Sequence, residues 1–240
     1  MSEFVDFKIR IADLTVRITG LQEHTRDFCH DFLIDSEDFD IWVTASDEDV
    51  QGEIARHIEG GSPRFFEKIY VYRQIAEKLP QFNRFVFHGA AVEVDGKGYI
   101  FAAPSGTGKS THVALLKKHF GDRVKIINGD KPILKVGENC VKVCSCPWSG
   151  KEGWQRNTSA PLGGIILLER SAENSIRKIE PAEYLEKLVL QAFLPEDGES
   201  FLKTLELMDT MSKCVPFYLL GCNISKEAAQ TSYKMMTDCN

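Results

Sequence analysis

The chain has 240 residues, 43% of them hydrophobic, and its 29 Lys and Arg against 35 Asp and Glu give a formal charge of −6. That length buries one substantial core, or a small lobe packed on a larger one, and the negative balance argues against a phosphate backbone as partner, so nucleic acid is not expected. No run approaches the roughly 20 apolar residues that span a bilayer, and the opening MSEFVDFKIRIADL carries charges where a signal peptide needs an apolar stretch, so a cytoplasmic protein without a membrane partner is expected.

From Phe4 to Thr19, β-branched and aromatic residues nearly alternate and break at Ala12-Asp13, which predicts a hairpin. Short strands are expected at Phe28–Ile34 and Asp40–Thr44. Ser46 followed by Asp47, Glu48 and Asp49 predicts a helix start, with acids complementing the dipole. A second helix is expected from Pro63 to about Leu79, where Pro80 ends it. At Phe85 the texture changes: FVFHGAAVEV, the turn DGKG and then YIFAA predict a second hairpin. Beyond it come a helix over Thr111–Phe120 stopped by Gly121, a buried strand Val124–Ile127 ending at Asn128-Gly129-Asp130, and strands at Ile133–Val136 and Val141–Cys144. An irregular stretch Pro147–Pro161 precedes a central strand Gly163–Leu168. Helical periodicity marks Pro181–Phe193 and Glu199–Lys213, Val215–Leu220 reads as a strand, and Ser225 caps a last helix. The sum is an α/β or mixed α+β fold, divided into an N-terminal accessory region 1–84 and a domain 85–240.

Seven cysteines, at 29, 140, 144, 146, 214, 222 and 239, are odd in number and scattered, so they read as reduced thiols and not as a disulfide framework. Cys144 and Cys146 would share one strand face and could ligate a metal, but no second pair at zinc spacing accompanies them.

The most informative segment is Ala103-Pro104-Ser105-Gly106-Thr107-Gly108-Lys109-Ser110, which fits the Walker A pattern except at its first position, where Ala stands for Gly. A phosphate needs several backbone N–H groups converging on it, and Gly106 and Gly108 let the chain turn with no side chain in the way. The helix that follows aims its dipole at the same anion. Lys109 supplies positive charge for the β- and γ-phosphates, the Ser110 hydroxyl is placed for Mg²⁺, and Thr111 lies near the α-phosphate. Ser105, Thr107 and the two glycines complete the cradle.

The stretch Phe87–Lys131 resembles the catalytic domain of HPr kinase/phosphorylase and, more distantly, ATP-dependent phosphoenolpyruvate carboxykinase. In those families a strand bearing His-Gly, a short turn and a second strand lead into the loop, as in FHGAAVEVDGKGYIFAAPSGTGKST, and an acidic residue follows the next strand. The resemblance implies a P-loop catalytic domain of that type with an N-terminal α+β addition, using ATP and Mg²⁺. It implies that His88 sits beside the transferring phosphate, where it would stabilise developing charge. Asp130, matched to the acidic position, would hold Mg²⁺ or take the proton of an attacking hydroxyl. The families carry two adjacent acids there, whereas this chain has Gly129-Asp130-Lys131, a departure that bears on the reverse, phosphorylase-type reaction. Analogy extends to a homo-oligomer.

From its own composition, the loop from Cys146 to Asn157, dense in Gly, Trp and charge, suits a functional role: Lys151 or Arg156 could reach the γ-phosphate opposite Lys109. The alternative, Trp148 and Trp154 as core anchors with solvated charges, stands beside it. Likewise His88 read alone could cap a strand end, and Asp130 could be a turn aspartate. The expected activity is phosphoryl transfer from ATP to a hydroxyl of a small molecule or of a Ser or Thr in a protein or peptide. An ATP-binding sensor or scaffold with reduced catalysis is the competing reading. Carboxykinase chemistry fits less well, since the chain is much shorter than those enzymes and lacks recognisable oxaloacetate-binding elements.

Overall fold

In the computed structural model, which describes residues 5–57 and 61–238, the first hairpin forms where the alternation predicts it. Strands β1 (Val5–Ile11) and β2 (Leu14–Gly20) are joined by Ala12 and Asp13, both at positive φ (47° and 63°), the geometry whose twist suits a two-residue turn. Phe4 and Cys239 lie outside the described residues. Helix α1 (Glu23–Phe28), a 3₁₀ turn at His30–Phe32 and the two-residue β3 (Leu33–Ile34) occupy the segment where one strand over Phe28–Ile34 was expected. The chain turns there because Cys29 and Phe32 are both buried against the first sheet, which an extended chain would not allow. Strand β4 (Ile41–Thr44) pairs in parallel with β2 and completes the order β3-β1-β2-β4. Ser46 and Asp49 form a reciprocal cap on α2 (Asp47–Arg56). Helix α3 (Pro63–Lys78), capped by Ser62, buries Phe66, Val71, Ile75 and Ala76. A 3₁₀ turn and Asn83, at φ 59°, then lead into the second sheet.

Among the described residues that sheet has nine strands. The predicted strand through FVFHGAAVEV is in fact two: β5 (Arg84–Val86) and β6 (Ala90–Val94), separated by Phe87-His88-Gly89. The break is structural, because β5 pairs with β9 (Ile133–Val136), while β6 pairs with β7 (Lys97–Ala102) and β8 (Val124–Asn128). A Cβ at Gly89 would lie 2.5 Å from Ile100 Cγ2 and 3.0 Å from the Phe101 carbonyl oxygen, so the crossing backbone has room for glycine alone. Strand β10 (Val141–Cys144) joins β9 to the start of β11 (Ser159–Arg170), a strand that begins earlier and ends later than its apolar run suggests. The far half of β11 runs parallel to both β7 and β13 (Phe217–Cys222), with β12 (Ser175–Ile179) as an edge. Charged, largely exposed β12 has no apolar pattern to announce it.

Alternation along β7 shows how the sheet is covered. Tyr99 and Phe101 face α4 (Lys109–Phe120) and α7 (Lys226–Asp238), while Ile100 and Ala102 face α5 (Leu185–Val189) and α6 (Gly198–Cys214). The Ser225 hydroxyl accepts from the Ala228 N–H at the start of α7. Helix α5 is much shorter than the predicted Pro181–Phe193. It follows a 3₁₀ turn at Pro181–Glu183 and stops because the chain after it joins the β5–β6 corner: the N–H of His88 donates to the Gln191 carbonyl at 2.6 Å, and that of Phe193 to the Val86 carbonyl at 3.0 Å. A third core lies between the first sheet, α3 and the β5–β9–β10 end of the second, with Trp148 and Cys146 packed into it. The architecture is mixed α+β, as the sequence indicates, and among the described residues no helix is long and apolar enough to cross a membrane.

Candidate functional site

The glycine loop joins the end of β7 to the start of α4. Gly106 and Gly108 sit at φ 78° and 124°, and a Cβ on either would meet no heavy atom within 4 Å, so the loop encloses open space. Where Ser46, Ser62 and Asp197 cap α2, α3 and α6 with side-chain oxygens, the N-cap of α4 is Gly108 and its first turn holds no acid. Its first N–H groups are thereby left to an external acceptor. Thr107 Oγ1 donates to the Pro104 carbonyl at 2.8 Å. Arg170, at the end of β11, donates to the Gly106 carbonyl at 2.7 Å and the Thr107 carbonyl at 3.3 Å, holding the loop from outside. Ser105 and Thr111 are exposed and Ser110 is half-buried on the first turn of α4.

Lys109 is folded inward. Its ammonium donates to the Ala103 carbonyl at 2.7 Å, and burial pushes its pKa down while nearby Asp130 opposes that shift. The Ala103 carbonyl has a second donor. With its amide nitrogen turned toward them, buried Gln191 donates at 3.2 Å both to this carbonyl and to His88 Nδ1. That orientation leaves the proton of neutral His88 on Nε2, which lies 3.2 Å from Asp130 Oδ1. The other Asp130 oxygen accepts from the Lys131 ammonium. Burial raises the Asp130 pKa, but the bonds from His88 and Lys131 outweigh it and hold the carboxyl well below the usual range. Lys109, His88 and Asp130 therefore form one connected group through Ala103 and Gln191.

Asn128 builds the turn that presents Asp130. Its Oδ1 accepts from the N–H groups of Asp130 and Lys131 at 2.9 and 2.8 Å, and its Nδ2 donates to the Cys146 carbonyl at 3.0 Å. Gly129 between them is sealed: its N–H donates to the Trp154 carbonyl at 2.8 Å, and a Cβ there would sit 2.7 Å from the Ser149 carbonyl oxygen. No acid fits at 129 without moving the neighbouring loop, and at 131 a lysine stands on Asp130.

That neighbouring loop, 147–158, separates the remaining expectations. Trp148 is a core anchor, donating from Nε1 to the Lys68 carbonyl at 3.0 Å and packing against Tyr72 and Phe28. Lys151 is exposed on a turn whose first residue, Gly150, comes against Asp130, a Cβ there lying 3.0 Å from that of Asp130. Arg156 stands apart. It lines a shallow cavity of about 380 Å³ with Lys117, Lys125 and Trp154. Cys144 and Cys146 are buried, and Cys146 donates its thiol to the Lys131 carbonyl at 3.0 Å. Among the described residues, no group of three or more His, Cys, Asp and Glu is arranged to hold a metal ion, so any metal here would depend on one carboxylate, a hydroxyl and oxygens from a ligand.

Beside the loop, a cavity of about 720 Å³ lies between the first turns of α4 and the ends of β11 and β13, lined by Gly106, Thr111, Arg170, Ser171, Asn223 and Ile224 among others. A smaller one of about 230 Å³ lies on the other side of the loop, against Pro104, Glu169, Tyr184, Lys187 and Gln191. Sequence reasoning missed Gln191, Arg170, Asn128 and Lys131 as parts of the site. Only Asn128 carried a local signal, an Asn placed to accept from N–H groups two and three residues on.

No protein-family profile matches the sequence, and no curated protein does. Among solved structures, the chain is similar to the Hpr(Ser) kinase/phosphatase from Coxiella burnetii, at 11% identity over 64% of this chain and 97% of that one, with a TM-score of 0.39. So distant a likeness assigns neither residue roles nor an activity.

Proposed function

We propose that the chain binds Mg²⁺·ATP and transfers the γ-phosphoryl group to a hydroxyl, on a small molecule or on a Ser or Thr of a protein or peptide. The observation that carries this reading is the Ala103 carbonyl, shared by Lys109 and by the Gln191 that orients His88. It couples an anion-binding loop to an acid–base pair at one point. Residues 105–111 would cradle the phosphates, and the cavity of about 720 Å³ suits the nucleoside. Ser110 and Asp130 offer the oxygen donors Mg²⁺ prefers, with waters and phosphate oxygens completing its shell. Bound there, the ion would draw charge from the β- and γ-oxygens.

In the transfer step the acceptor oxygen forms a bond to the γ-phosphorus as the bond to the β–γ bridging oxygen breaks, and ADP departs with that electron pair. Asp130, where it is not engaged with the metal ion, orients the hydroxyl and receives its proton. His88 donates a hydrogen bond to an equatorial oxygen as charge grows there, and Lys151 on the adjoining turn is a further cation within the same corner. Arg156 would have to leave its own cavity to take part.

The reading is tested by melting the protein with and without Mg²⁺·ATP. A ligand that binds only the folded state raises its stability by mass action, and Lys109→Ala should remove most of that rise. Identical melting of wild type and variant under both conditions overturns the proposal. A second reading, an ATP-binding sensor with little turnover, is favoured by one observation: both Asp130 oxygens already have partners. Incubation with γ-labelled ATP and a cell extract decides between them, since a sensor would bind nucleotide and label nothing.

A further inference from the structure

We infer that Lys131 is the second cation on the transferred phosphoryl group, and that it distinguishes ATP from ADP; the inference rests on the phosphoryl-transfer reading above. Its backbone is held at both ends: the N–H donates to Asn128 Oδ1 at 2.8 Å, and the carbonyl accepts from the buried Cys146 thiol at 3.0 Å. Its side chain runs beside the Tyr72 ring, 5.9 Å from the ammonium to the ring centre, and ends on Asp130. A lysine so fixed is aimed, in contrast to exposed Lys151, and it lies within the corner that Arg156 does not enter.

Two further observations place it by the γ-phosphate. The ammonium takes the Asp130 oxygen opposite the one His88 meets, so the carboxylate is bracketed by both groups. Lys109, which would hold the β- and γ-phosphates, feels both Asp130 and Lys131 through space. When Asp130 turns to a metal ion or an acceptor hydroxyl, Lys131 loses its carboxylate, and the Tyr72 ring that its ammonium lies beside is not an anion. A γ-phosphoryl oxygen restores the pairing. Lys131 thus exchanges one anionic partner for another and supplies positive charge beside the transferred group.

Nucleotide affinity tests this directly. Mg²⁺·ATP and Mg²⁺·ADP are titrated calorimetrically into wild type, Lys131→Met, Lys131→Arg and Lys109→Ala. A lost charge-assisted contact made only to the γ-phosphoryl should weaken ATP roughly tenfold in Lys131→Met and leave ADP within about twofold. Lys131→Arg should recover part of the loss, and Lys109→Ala should weaken both nucleotides. Equal losses for ATP and ADP in Lys131→Met, or no loss, overturn the assignment of Lys131 while the phosphate-loop reading stands. Wild type that binds neither nucleotide overturns both. If Lys131→Met does not fold, Lys131→Gln, which keeps a side chain beside Tyr72, decides by the same ATP-to-ADP ratio.

Discussion

Two glycine-bearing loops meet near Asp130 and are built in opposite ways. Loop 103–108 closes on its own backbone and on Arg170, and leaves its interior open at Gly106 and Gly108. Loop 147–158 is filled: Trp148 is fastened to the Lys68 carbonyl, the Ser149 hydroxyl donates to Gln155 Oε1 at 2.9 Å, and the chain seals Gly129 beneath it. The first leaves open space around its glycines, whereas the second is filled by the chain's own side chains. Substitutions in the two should therefore fail in different currencies: binding in the first, folding in the second.

The largest expected effect is in the filled loop. Trp148→Ala removes a buried ring from the contacts with Tyr72 and Phe28 and should lower unfolding free energy by about 3–5 kcal/mol, read from urea denaturation, with nucleotide affinity preserved in whatever fraction folds. Lys109→Ala should do the reverse. Should Lys109→Ala unfold the protein as badly as Trp148→Ala, the contrast between the loops is wrong.

Between the loops stands His88. His88→Ala should leave nucleotide affinity within a few fold and lower turnover roughly 10²-fold, the scale of one lost electrostatic or acid–base group. Steady-state kinetics with a verified acceptor would show it, and wild-type turnover in the variant would remove His88 from the chemistry.

The last expected effect, seen only on acidification, concerns what supports the open loop. His112, on α4 directly behind it, is buried, has its Nε2 2.8 Å from the Ser232 hydroxyl, and has its pKa pushed down to about 4 by burial. The unfolded chain, with an ordinary histidine pKa near 6.5, takes up this proton before the folded one does. Stability should fall as pH drops from about 6.5 toward 4, by at most about 1.4 kcal/mol per pH unit from this group. In His112→Asn that contribution should vanish, and denaturation midpoints recorded across this range would reveal whether it does.

What the sequence disclosed follows the same division. The loop Ala103–Ser110 was legible because a glycine turn between strand and helix is made locally, from consecutive residues whose types answer to one geometry. His88 and Asp130 were singled out by their place in a longer pattern, and the fold brings them within 3.2 Å of each other. Gln191 could not be found in this way, since it reaches His88 only because α5 ends early and the chain folds back onto β5, a pairing between residues far apart in sequence. The same distance hid the break at His88-Gly89: the run FVFHGAAVEV is uniformly suited to a strand, and only the choice of partners, β9 for one half and β7 with β8 for the other, divides it. Trp154 and Trp148 illustrate a third limit. Composition marked their loop as unusual but could not choose between a functional loop and core anchors; Trp148 is such an anchor, while Trp154 is only partly buried.

The core shared by the first sheet and Trp148 has a consequence for how the chain is made. Ile9, Val16 and Ile18 are made before Ile133, Cys146 and Trp148, which pack in the same cluster and emerge only after α4 and β8. Until then the apolar face of the four-stranded sheet lacks part of its cover, a period in which a nascent chain is prone to wrong association. Contacts this distant along the chain also form slowly. The N-terminal sheet is thus made before part of its cover and is fully buried only once that cover has emerged.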